Sequence, residues 1–316
     1  MQHIDILWWV AFLLTALAGA LLGAYCAGVA RHYGALLDRG CNPDGACLLR
    51  AVKMTLSRPS VSIIWVDGTA RGDARQVRRA IARSDSGQTR SALMGGHVGH
   101  ARPLAARRAL AHSRFAIACS GALFPALYAV HGPTLLFVII GWGAALLVLL
   151  ACIDMQVQLL PDALTKPLLW VGLGCAMAGF MPGRGGGDTI AAIVPGMSAA
   201  GNAFVPLSLL PAVGLYSVAG VMTGYFLLSV PALWWRWRHQ QEAVGQGDIK
   251  LLAAAGAWLG PVGVVHALTV ACLAGVLVAM VHQRRLRPAG AYPFGPFIVL
   301  GCVGEFLGAP GVQSWF

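Results

Sequence analysis

Residues 243–260 read AVGQGDIKLLAAAGAWLG. Two glycines flank a glutamine, an aspartate follows, and a lysine stands two places on. Roughly three helical turns of Leu, Ala, Gly and Trp come next. A carboxylate beside an apolar helix is costly to bury unless it has a partner or a task. Asp248 also sits where a helix would begin. Gly245 and Gly247 lack a Cβ, so the chain before Asp248 is expected to take positive φ and admit another backbone at close range.

The composition around this stretch decides what kind of helix it is. Of 316 residues, 57% are hydrophobic and 11% charged, and mean hydropathy is +0.68. A soluble domain carries roughly 25% charged residues. An all-α integral membrane protein is therefore expected, and two soluble domains are not. Eight apolar runs, 6–29, 115–131, 134–153, 163–181, 210–235, 249–260, 261–282 and 294–312, predict about eight transmembrane helices. The first resembles a signal sequence, but it is too long and has no basic flank, so it is read as a retained span. The run 249–260 is short for a hydrocarbon core of about 30 Å and must tilt or start deep. The expected organisation is a first transmembrane helix (1–30), a basic cytoplasmic segment (31–114) and a membrane-embedded domain (115–316).

Charge gives the orientation. Of the 23 Lys and Arg residues, 15 lie between Arg31 and Arg114, with five Asp and no Glu. Basic loops mark the cytoplasmic side. Arg236, Arg238, Arg284, Arg285 and Arg287 sit in short links and vote the same way. The links 154–162, 239–248 and 283–293 then face the cytoplasm, and the Gly- and Pro-rich 182–209 faces outward. Attraction to anionic headgroups accounts for the basic segment, so lipid rather than nucleic acid is its expected partner. The run WWRWR (234–238) reads as an interfacial anchor.

Six of the eight cysteines, Cys26, Cys119, Cys152, Cys175, Cys272 and Cys302, are embedded in apolar runs, where Cys behaves as a small hydrophobe. There are twelve acidic residues, and only six follow residue 115: Asp154, Asp162, Asp188, Glu242, Asp248 and Glu305. Asp188 and Glu242 read as solvated, and Glu305 as reaching the outer interface. Asp154, Asp162 and Asp248 all fall at cytoplasmic ends of spans. Two carboxylates within a few Å of each other cannot both ionise freely; such a pair can hold a water between a base and an acid and hydrolyse an amide without metal. The bland alternative is that each caps a helix. A rival of another class, a transporter or channel binding a cation through intramembrane carboxylates, would favour acids near the bilayer midplane.

GQGDIKLLAAAGAWLG resembles the glycine-any-glycine-aspartate motif of the type IV prepilin peptidases. IDMQVQLLPDALTKPLLWVGL (153–173) is similar to their other active-site segment, and PFGPF (293–297) to the entry of their last helix. The resemblance implies a membrane aspartic endopeptidase of the bacterial inner membrane, with its active site at the cytoplasmic face. It would remove leaders from type IV prepilins or type II secretion pseudopilins. It implies Asp154 and Asp248 as the catalytic pair, with Gly245 and Gly247 shaping the backbone. Asp162 falls on the family's Pro-Asp position and reads as a helix cap after Pro161. Lys250 is a possible local positive charge for a carboxylate or a substrate carbonyl. PFGPF reads as a constrained bend with no chemistry of its own.

Many such proteins also carry two Cys-x-x-Cys pairs that bind zinc, and methylate the new N-terminus with S-adenosylmethionine. Here the first loop has only Cys41 and Cys47, with His97 and His100 far downstream, a spacing unlike a zinc ribbon. No metal is expected, and no cofactor for proteolysis; S-adenosylmethionine would enter only with methylation.

Overall fold

A computed structural model describes residues 2–57, 98–178, 210–240, 244–283 and 293–308. Asp188 and the 182–209 link, Glu242, His97, the basic residues between 58 and 97, and Arg284, Arg285 and Arg287 lie outside the described residues, as does the side chain of His100. Every regular element among the described residues is an α-helix: α1 (Gln2–Leu37), α2 (Gly45–Ser57), α3 (Val98–His131), α4 (Leu135–Val157), α5 (Asp162–Met177), α6 (Leu210–His239), α7 (Gln246–Gln283) and α8 (Gly295–Phe306).

Among the described residues, five stretches are long and apolar enough to cross a membrane: Trp8–Leu37, His112–His131, Leu135–Val157, Pro211–His239 and Gln246–Val281. They do not confirm the expected count of about eight. The runs 249–260 and 261–282 fall within one stretch, Gln246–Val281, although the backbone leaves helical geometry between them at Gly260, and α5 and α8 are only 16 and 12 residues long. Large apolar side chains point outward on the long helices, among them Leu13, Leu17, Leu215, Leu233 and Leu273. An outward apolar surface of this kind suits lipid.

α7 is one helix in name only. Gly260 stands at φ 70°, ψ 178°, outside helical geometry. Its positive φ suits glycine, and the Tyr216 ring lies where a Cβ would be. Pro261 follows, with its φ preset for a first helical turn. The contacts show that the chain doubles back here. Gly263 lies near Glu305, Gly301 rests on the Ala267 carbonyl, and Gly275 faces Phe294 and Phe297. The second leg therefore runs antiparallel to α8. The first leg instead packs on α6, where Ser217 Oγ donates to the Ala257 carbonyl at 2.6 Å and Gly220 meets Gly256.

Inside the bundle Trp258 is the largest fully buried side chain. Its Nε1 donates to the Leu168 carbonyl at 2.8 Å and its ring meets Phe306 edge-on, at 6.1 Å between centroids. This one residue joins the first leg of α7 to α5 and α8. α1 lies along α3, with Gly23 against Ala116 and Ser120. At the far end His131 Nε2 donates to the Phe306 carbonyl at 2.9 Å. Glu305 lies 3.5 Å from His266 Nδ1 in a largely enclosed pair. The two groups partner each other within the helix pair, which removes the need to reach water.

Candidate active site

Four helix ends meet at the other end of the bundle. α4 finishes at Val157 because Gln158 turns left-handed (φ 54°) and returns its N–H to the Asp154 carbonyl at 2.9 Å. Leu159, Leu160 and Pro161 make the turn into α5. Pro161 stands at the N-cap position and cannot donate, so the helix starts cleanly behind it. Asp154 thus sits in the last turn of α4 and Asp248 in the first turn of α7.

The two aspartates, from different helices, lie within range of each other's charge. Asp154 is 4% exposed and Asp248 partly exposed, so the pair has a closed side and an open one. Buried carboxylates without partners are costly. Asp154 has one: the backbone N–H of Gly295, at the start of α8, donates to its Oδ2 at 3.0 Å. This contact was not legible in PFGPF, read as a bend without chemistry. A signal existed, since Gly-Pro opening an apolar run marks a helix N-terminus, and helix N-termini attract anions.

The glycines before Asp248 act differently from expectation. Neither Gly245 nor Gly247 is among the positive-φ glycines. Gly247 matters through contact: a Cβ there would stand 2.9 Å from Leu160 Cβ and Cδ1. The neighbour is thus a side chain of the Leu-Leu-Pro-Asp turn rather than another backbone. At Gly245 a Cβ would meet Asp248 Oδ2 at an ordinary 3.5 Å. Gln246 is exposed.

Asp162 is the first residue of α5 and the acidic residue of its first turn, with Pro161 at the N-cap position. Its carboxylate accepts from Lys250 Nζ at 2.7 Å and lies 3.8 Å from Lys166. Lys250 is therefore held by Asp162, not by the aspartate pair, because its long stem carries the charge outward along the helix surface. Both groups are about half exposed (48% and 45%), which limits the pair to at most about 1 kcal/mol. Its structural effect is to fasten the starts of α5 and α7 together. Cys41 and Cys47 come within hydrogen-bonding reach at the α1–α2 turn, and burial, then the Cys41 thiol, push the Cys47 thiol up. Among the described residues no group of three or more His, Cys, Asp or Glu could hold a metal ion.

Helices long enough to span a membrane, with two carboxylates at one end of the bundle, define a multi-pass membrane protein with an acid site at that end. Residues 141–280, which include both aspartates, match the model of the type IV leader peptidase family. Three relatives are named prepilin leader peptidase/N-methyltransferase. The protein of Dickeya chrysanthemi is 34% identical over 215 residues, covering 62% of this chain and 65% of that protein. That of Burkholderia pseudomallei (strain 1026b) is 34% identical over 195 residues, 60% and 53%. That of Klebsiella pneumoniae is 41% identical over 118 residues, 37% and 38%. The chain thus spans between about a third and two thirds of the length of these relatives. No solved structure matches it.

Proposed function

We propose that this protein is a membrane aspartic endopeptidase that removes leader peptides from type IV prepilins or type II secretion pseudopilins at the cytoplasmic face. One observation carries the reading: Asp154 and Asp248, 94 residues apart, are brought together at helix ends with one side open. One carboxylate takes a proton from water, whose oxygen attacks the scissile carbonyl carbon. The other carboxyl gives its proton to the amide nitrogen as the C–N bond breaks. The two act as a unit, so the first proton belongs to the pair. The rival cation pathway would place its acids mid-span, whereas these stand in a last and a first turn. Arg236 and Arg238, in the last turn of α6 beside the start of α7, support a cytoplasmic position for this end.

S-adenosylmethionine is implied by the relatives' names, and the cleft between α6 and α7 does not fit it. That cleft, of about 470 Å³, is lined by apolar side chains with Tyr225, Ser229, Gln246, Arg236 and Lys250, and by no carboxylate for a sulfonium or a ribose. No step is routed through it.

The direct test incubates the purified chain with prepilin and pseudopilin precursors and sequences the products. Asp154→Asn should abolish the new N-terminus, by a factor of about 10² to 10⁴ in rate, with membrane insertion unchanged. Wild-type processing by that variant would remove the reading. Cysteines engineered at positions 75 and 240 should react only with reagents that reach the cytoplasmic side; external labelling at either would reverse the orientation.

A further inference from the structure

Residue 295 falls outside the stretch matched to the family, yet its N–H is the described hydrogen-bond donor to Asp154 Oδ2. We propose that Gly295 is a positioning residue for Asp154, and that the first turn of α8 holds this carboxylate in its working orientation. The inference rests on the reading of Asp154 as half of the dyad.

Asp154 lies in the last turn of α4, where free carbonyls gather partial negative charge. That setting opposes a carboxylate, and a helix N-terminus facing it offsets the effect. α8 has little else to offer there. Pro296 has no N–H, and the N–H groups of Phe297 and Ile298 are taken by the Phe294 carbonyl at 3.0 and 3.2 Å. Gly295 is the donor left over, and it points at Asp154.

The approach is close enough to exclude any side chain. A Cβ on residue 295 would stand 2.7 Å from Asp154 Oδ2 and 3.0 Å from its Cγ. The donor is also fixed from behind. Ile298 and Cys302 are fully buried, Gly301 rests on the Ala267 carbonyl, and the Phe306 carbonyl is tied to His131. α8 cannot slide without breaking these contacts. With one lone pair of Oδ2 engaged, the carboxylate plane is held in one orientation toward the water and Asp248. Orientation of this kind acts on the chemical step rather than on substrate capture, and a misplacement of about 1 Å can cost about 100-fold in rate.

The test uses the full chain in lipid nanodiscs and a full-length prepilin precursor carrying its leader. Gly295→Ala should lower kcat about 100-fold with KM unchanged. Gly304→Ala, on the same helix with nothing within 4 Å of its Cβ, should leave both constants at wild type. Gly23→Ala, tight against Ala116 and Ser120 where α1 meets α3, should lower thermal stability while the folded fraction keeps its kcat, which shows what packing damage away from the site looks like. Asp154→Asn is assayed alongside. An inactive Asp154→Asn beside a Gly295→Ala variant of wild-type kcat overturns this inference alone. So does a Gly295→Ala variant that merely loses thermal stability as Gly23→Ala does, with normal kcat in the folded fraction. Wild-type cleavage by Asp154→Asn overturns the dyad itself, and this inference with it.

Discussion

The two legs of α7 are both apolar, but they meet different surroundings. In the first leg Leu251, Leu252, Ala254, Ala255, Ala257, Trp258 and Leu259 are all at most 2% exposed. In the second, Val264, Ala267 and Ala271 are fully buried, while Leu273, Val276, Leu277 and Val281 are 55–70% exposed. A helix enclosed on every side is core, and one with a single buried stripe is boundary. Asp248 begins the enclosed leg. Its backbone is therefore set by packing along the whole leg, whereas the second leg needs only the stripe that meets α8. Small residues make the enclosure feasible, because Ala and Gly let helices approach closely.

The largest effect expected on the first leg is chemical. Asp248→Asn should reduce cleavage by about 10² to 10⁴ with insertion intact. A variant that still processed precursor at the wild-type rate would detach this leg from catalysis altogether.

Steric change at the same end should come next. Gly247→Val drives a side chain into Leu160 and should remove most cleavage, whereas Gly245→Val, with only an ordinary contact to Asp248, should remove less. Gln246→Ala should be tolerated. A series at 245, 246 and 247, scored for insertion and turnover, sharpens the comparison; equal tolerance at all three would mean a loose linker.

Packing gives a third contrast. Trp258→Ala should destabilise by about 3–5 kcal/mol through the cavity it leaves. Leu273→Ala, 68% exposed, should stay within about 0.5 kcal/mol. Denaturation of the two variants in the same detergent measures both, and similar losses would mean that the legs are not packed differently. Smallest of all, Asp162→Asn should keep substantial activity, since the Lys250 pair is worth at most about 1 kcal/mol. Loss of cleavage as complete as in Asp248→Asn would make Asp162 part of the chemistry.

Much of this was legible because charges are scarce in a chain this apolar. Asp154, Asp162 and Asp248 stood out, and so did Gly260–Pro261 as the boundary between two runs. The partners of those residues were not legible. Lys250 could have served any carboxylate, and only the fold brings Asp162 to it from 88 positions away. Gly295 acts through a backbone N–H, which every residue but proline possesses, so its letter carries no mark of the task. The role of Gly247 was half visible. A missing Cβ suggested close approach, but whether that served a bend or the neighbouring Leu160 depended on which turn packed against it.

The reversal at Gly260 also bears on how the chain enters the bilayer during synthesis. The first leg has about 14 residues before the break and a rise of roughly 21 Å, short of the about 30 Å hydrocarbon core. Such a segment is a weak substrate for insertion by itself, and its aspartate makes it weaker still. The second leg is longer and richer in Leu and Val, and the Gly-Pro corner joins the two without a loop. The pair is therefore best suited to entering as a single hairpin, the second leg carrying the first inward. The carboxylate of Asp248 would then reach its final depth only after the ribosome has passed well beyond residue 260, which keeps an unpartnered acid out of the nascent membrane domain until α4 is there to meet it.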